Sequence, residues 1–128
     1  MRHDNVRPTR TPPRPRTIAV VFVFLLAACA FDALATLEII GRGADEWNPL
    51  MAFALAVGPG EFFLVKMAVA TVGSLVLGRF ARDYRLAWWG LCGLAGVYFL
   101  LALLHFFLLF FVPAPLASII ASFFFFRF

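Results

Sequence analysis

Three apolar stretches, 17–40, 61–80 and 87–112, leave this chain little choice of solvent. About 20 residues of helix, rising about 1.5 Å each, cross a hydrocarbon core of about 30 Å, and each stretch reaches that length. Of the 128 residues, 63% are hydrophobic and only 14% are charged, against roughly 25% charged in a soluble domain. The sequence therefore predicts an all-α membrane protein with three transmembrane helices at about 17–40, 61–80 and 87–112.

The segments between the spans are short. Residues 1–16 hold five arginines and four prolines. With almost no apolar surface to bury, they read as a disordered basic tail. The polar loop 41–48 (GRGADEWN) ends in Asn48-Pro49, an N-cap residue followed by the residue best suited to the first helical position. A helix at about 49–57 follows and stops before Gly58-Pro59-Gly60. It extends less than about 15 Å, so it is read as re-entrant or interfacial, with non-helical backbone at 58–60 as a water path from outside. Glu61 in the next first turn complements the helix dipole. Pro113 and Pro115 end the third span, and 113–128 reads as an apolar tail at the outer interface. The domain division is thus 1–16, 17–112 and 113–128.

Two cysteines, Cys29 and Cys92, fall in apolar segments without metal or disulfide spacing and read as small buried side chains. Leu26-Ala27-Ala28-Cys29 has the look of a lipoprotein processing box. Helix-compatible sequence continues through it to Ile40, which argues against cleavage there.

Orientation follows from the arginines. Five of the 11 cations lie in the basic tail, and Arg79, Arg82 and Arg85 cluster in the turn after the second span. The 41–61 connection instead carries Asp45, Glu46 and Glu61 against Arg42. Basic connections stay in the cytoplasm, so the expected location is the inner (cytoplasmic) membrane, N-terminus in and C-terminus out. Trp88 and Trp89 then mark the inner interface and Trp47 the outer one. The net charge of +4 is a topology signal on this reading, and no nucleic-acid partner is implied.

Within the spans, three ionisable residues stand out: Asp32, Lys66 and His105. Lys66 is the chain's only lysine. A charge deep in the bilayer costs on the order of 3 kcal/mol on insertion scales, so such residues pair or serve a site. Counted from the outer helix ends, they lie roughly 12, 8 and 10 Å deep. One acid, one ammonium and one imidazole therefore share a level. Their neighbours suit a bundle interior: Ala28 and Thr36 on the face of Asp32, Ala70, Gly73 and Ser74 on that of Lys66, Tyr98 and Ala102 on that of His105. Glu38 faces elsewhere and reads as solvated. Two readings of Lys66 stay open, snorkelling to the interface and pairing with Asp32. Gly90, Gly93 and Gly96 form a close-packing row that suits either internal packing or a second protomer.

Asp32-Ala33-x-x-Thr36, Glu46-x-Asn48-Pro49, Lys66 and His105 together resemble a family of small bacterial and archaeal three-helix membrane proteins catalogued only as a domain of unknown function. The resemblance covers about residues 25–110. It implies that Asp32, Thr36, Glu46, Asn48, Lys66 and His105 are the signature positions. It implies no activity, and it does not extend to the Arg/Pro tail or the Phe-rich C-terminus.

Two functions fit these residues. In the first, the chain is an uncharacterised multi-pass binding, assembly or accessory module whose Asp-Lys-His layer specifies helix packing. Its partners are the lipid bilayer and either a second copy or another membrane protein. In the second, Asp32, Glu46, Asn48, Lys66 and His105 build an outward-facing intramembrane site for proton, metal or lipid-phosphate chemistry. No phosphate loop, nucleophile elbow or H-E-x-x-H zinc motif is present, no cofactor or metal is specified, and the balance leans away from an enzyme.

Overall fold

A computed structural model describes residues 11–46, 48–113 and 116, and among these the chain is all-helical. Four helices follow in order: α1 (Pro15–Gly41), α2 (Pro49–Val57), α3 (Pro59–Phe80) and α4 (Arg85–Phe111). Helices α1, α3 and α4 are long and apolar enough to cross a membrane. Most of residues 1–16, all but Pro113 and Leu116 of 113–128, and Trp47 lie outside the described residues.

Helices α1, α2 and α3 each begin at a proline. Helix α1 starts two residues before the expected boundary, because Pro15 takes a first-turn position whose N–H has no intrahelical acceptor in any case. The Arg14 carbonyl accepts from Thr17 N at 2.9 Å and Ile18 N at 3.2 Å. Pro59 does the same for α3, so the expected break at 58–60 narrows to Gly58 alone, in extended backbone. Its carbonyl accepts from Phe62 N at 3.0 Å. At the end of α1 the chain reverses through Gly43, whose φ of 102° lies in the left-handed region that glycine enters without strain. Ahead of it, Arg42 pairs with exposed Glu38 one turn back at 3.1 Å.

Helix α1 is the centre of the bundle and packs on both α4 and α3, while α2 packs on α3. Three apolar clusters hold these contacts. Leu25 and Cys29 of α1 meet Ala70 of α3 and Leu91 and Ala95 of α4. Ile39, Ala44 and Leu108 close the space between α1, the following loop and α4. Ala33, Met51, Ala54 and Phe62 join α1, α2 and α3. Cys29 is fully buried inside an unbroken α1.

Outward faces are also apolar, with Val20, Leu64, Val72, Leu100 and Phe107 all exposed. That inverts the amphipathic pattern of a water-soluble bundle. Helix α2 buries Met51 and Ala54 and exposes Leu50, Phe53 and Val57 on another face. Ile18, Leu77 and Trp88 pack round the first cluster. The start of α1, the end of α3 and the start of α4 therefore share one end, where Arg14, Arg16, Arg79, Arg82 and Arg85 also lie. The 42–48 loop and α2 occupy the other.

The glycine row divides. A Cβ on Gly90 would sit 3.3 Å from Leu77 Cδ2, whereas Gly93 and Gly96 meet nothing within 4 Å. Internal packing thus uses Gly90 only. Replacing Gly93 or Gly96 by Ala should leave the unfolding free energy of the isolated chain within about 0.5 kcal/mol or raise it. Unfolding in mixed micelles would measure this.

Candidate functional site

Asp32, two turns from the end of α1, is 1% exposed. Its carboxylate is shared. Oδ2 lies 2.6 Å from Lys66 Nζ on α3, and Oδ1 lies 2.7 Å from His105 Nδ1 on α4. The level inferred by counting residues is a physical layer, and one carboxylate joins all three long helices.

Thr36 lies one helical turn beyond Asp32. Its hydroxyl donates to the Asp32 main-chain carbonyl at 2.7 Å, which turns its lone pairs toward α3, where Lys66 Nζ donates at 3.4 Å. Below the ammonium lies Phe62, fully buried, its ring centroid 5.5 Å from Nζ. Phe62 and Lys66 are four apart on α3 and so share a face. The ammonium is therefore turned into the bundle, its side chain only 13% exposed, which resolves the choice between snorkelling and pairing. An ion pair out of water repays its desolvation only when the remaining donors are also satisfied. Here a carboxylate, a hydroxyl and an aromatic face surround Nζ.

Glu46 and Asn48 belong to the loop. Glu46 Oε1 accepts from Asn48 N at 2.9 Å, and Asn48 Oδ1 accepts from Leu50 N at 3.1 Å. Asn48 is thus the N-cap of α2, exposed and apart from the buried layer. Replacing it with Ala should cost about 1 kcal/mol of local stability. The effect should read out as faster amide exchange at Leu50, with the Asp32 contacts unchanged.

A small pocket connects the loop to the layer. His105 and Thr36 form its buried end, Ile39, Ile40 and Ala44 its walls, and Asp45 and Glu46 its outer edge. Its volume of about 20 Å³ suits one water molecule. A wider open groove lined by Ala52, Leu55 and Ala56 shares Asp45 and Glu46 with it. The route from the loop end thus passes between α1 and α4 beneath residues 44–46, and Gly58 does not line it.

Of the six sequence-derived positions, the structure brings Asp32, Thr36, Lys66 and His105 into contact, puts Glu46 at the pocket edge, and leaves Asn48 outside. Phe62, Ala44 and Asp45 are additions. Phe62 was readable as the residue one turn before Lys66. Ala44 and Asp45 depend on the fold of the Gly43 turn and carry no sequence signal. Among the described residues, no group of three or more His, Cys, Asp or Glu side chains is arranged to hold a metal ion. Lys66 does not line the pocket.

The model of a family described as a domain of unknown function, DUF5658, matches residues 23–111, which span the whole layer and the loop above it. No curated protein and no solved structure matches the chain.

Proposed function

We propose that this chain, which belongs to the DUF5658 family of unknown function, is a small multi-pass inner-membrane module that works by binding and assembly, its Asp32–Lys66–His105 layer setting how three spans pack. The observation that carries this reading is the sharing of one buried carboxylate between Lys66 of α3 and His105 of α4. Such a layer gives the helices one favourable register, because sliding any of them leaves a charge unpaired in the bundle interior. The buried ion pair thus contributes specificity, while the apolar clusters on either side contribute adhesion.

The gathering of arginines at one end of the bundle supports a cytoplasmic N-terminus, with the 42–48 loop and α2 on the outer side. The exposed Leu50, Phe53 and Val57 of α2 suit the outer lipid boundary. Gly93 and Gly96, open on α4, leave room for close approach by another helix, whether from a second copy or a different membrane protein.

Exchanging the pair tests this. Asp32→Lys or Lys66→Asp alone should strongly reduce the amount of folded protein in the membrane. The double exchange should restore it together with the cellular phenotype of the gene. A double variant that inserts and folds yet has lost the phenotype would overturn the reading, because it would show that the identity of each group matters beyond the pairing.

A further inference from the structure

Five arginines gather at the end of the bundle opposite the pocket, and no carboxylate of the described residues offsets them. We propose that this end is a docking surface for anionic phospholipid headgroups, whose phosphates are held by the arginines at the start of α1 together with those around the α3–α4 turn.

Packing brings the two groups of arginines to one place. Arg14 and Arg16 lie at the start of α1, Arg79 in the last turn of α3, Arg82 in the turn that follows and Arg85 at the start of α4, all five exposed. A Cβ on Gly78 would sit 3.6 Å from Ile18 Cγ2, so the last turn of α3 lies against the first turn of α1. The α3–α4 turn is itself fixed. Ala81 within it is fully buried, and the Phe80 carbonyl accepts from Asp83 N at 3.1 Å and Tyr84 N at 2.9 Å.

The charge of this surface is unsatisfied within the chain. Among the described residues, none of the five arginines pairs with a carboxylate. Asp83, the one acid of the 79–85 segment, is exposed and unpaired with them. Helix electrostatics accounts for Arg79, since a cation suits the last turn of a helix. It works against Arg16 and Arg85, which stand in the first turns of α1 and α4, where a cation is disfavoured and neither helix has an acid. Five like charges that repel one another call for an anionic partner from outside.

The aromatic residues beside them point to the bilayer as its source. Trp89 is exposed and lies one turn from Arg85 on the same face of α4. Indoles settle at the headgroup level of a membrane, which puts the neighbouring guanidinium groups within reach of lipid phosphates. A guanidinium can grip a phosphate through two parallel hydrogen bonds. Setting topology needs these cations only during insertion. A lipid-docking surface keeps its preference in the finished bundle, and that difference is measurable.

Trp47→Phe leaves Trp88 and Trp89 as the tryptophans of the chain, both at the arginine end. In full-length protein held in lipid nanodiscs, brominated phosphatidylglycerol should quench them at lower mole fraction than brominated phosphatidylcholine. Both leaflets carry the same lipid, so an inverted insertion does not alter the reading. Arg79→Gln, Arg82→Gln and Arg85→Gln combined should lower the preference for phosphatidylglycerol by at least about fivefold, the weight of a single cation at an anionic surface. Arg42→Gln, at the other end of the bundle, should leave it unchanged. Where the triple variant fails to fold, raising salt around the parent protein from about 0.1 M to about 1 M shortens the screening length from about 10 Å to about 3 Å and should diminish the preference. Equal quenching by the two lipids in the parent overturns the proposal, as it would if the surface served an acidic protein or a nucleic acid. So does a preference that survives both the triple substitution and high salt, or one that Arg42→Gln lowers as much. None of these outcomes touches the packing role of the Asp32 layer, which the charge exchange reads.

Discussion

Replacing Asp32 with Ala should destabilise the bundle by about 3–5 kcal/mol, the loss typical of removing one partner from a buried ion pair. The size follows from what is left behind. Lys66 Nζ would keep only the Thr36 hydroxyl at 3.4 Å and the Phe62 face, and His105 would lose the carboxylate that orients its ring. Two helices would lose their tether to α1 at once. Asp32→Asn, which retains the shape and one acceptor oxygen, should cost roughly half as much, because a neutral amide gives an ammonium a weaker partner than a carboxylate does. Lys66→Met should also cost less than Asp32→Ala, since His105 remains beside the carboxylate and the methionine stem fills the lysine's path. Denaturant titration of the three variants in mixed micelles gives the ranking. Equal losses for Asp32→Ala and Asp32→Asn would mean that shape, not charge, holds this layer.

Phe62→Ala should produce the second large loss, about 3 kcal/mol. Truncating a buried Phe costs about 3–5 kcal/mol in water-soluble cores through lost transfer energy and the cavity left behind. The lower end applies in a bilayer, where packing rather than exclusion from water drives helix association. Phe62 is fully buried in the cluster that joins α1, α2 and α3, and its ring also underlies the Lys66 ammonium. The variant should therefore loosen α2 and weaken the Asp32–Lys66 pair together. Phe62→Leu fills most of the cavity but offers no aromatic face. The part of the loss that Leu fails to rescue measures the cation–π contact, about 1 kcal/mol or somewhat more when desolvated.

Much of this arrangement is legible in the sequence, and the exceptions have physical causes. The three long helices follow from unbroken apolar runs, and the short α2 from Asn48-Pro49. The starts of α1 and α3 fall earlier than the apolar runs suggest because Pro15 and Pro59 act as first-turn residues rather than as breakers. The layer of Asp32, Lys66 and His105 emerges from counting residues inward from the loop end, since helical rise converts position into depth. What counting cannot supply is azimuth. Whether Lys66 turns outward to the interface or inward to Asp32 depends on how α3 rotates against α1. Phe62, one turn away on the same face and buried by α2, settles that rotation. Glu46 and Asn48 look alike as neighbours in one motif. Though the Glu46 carboxylate accepts from Asn48 N, their side chains serve different places, Glu46 at the pocket edge and Asn48 as the cap of α2. That separation is a property of loop geometry, on which apolar periodicity is silent.

The link between Asp32 and Lys66 is measured most directly by a double-mutant cycle. Unfolding free energies would be compared for the parent protein, Asp32→Ala, Lys66→Ala and the double variant, in one lipid and detergent mixture. If the two side chains are energetically one unit, the second substitution costs little once the first is made, and the coupling reaches about 2–3 kcal/mol, the upper part of the range for residues in contact. Losses that simply add, with a coupling near zero, would contradict a shared buried carboxylate as the device that fixes the packing of the three spans.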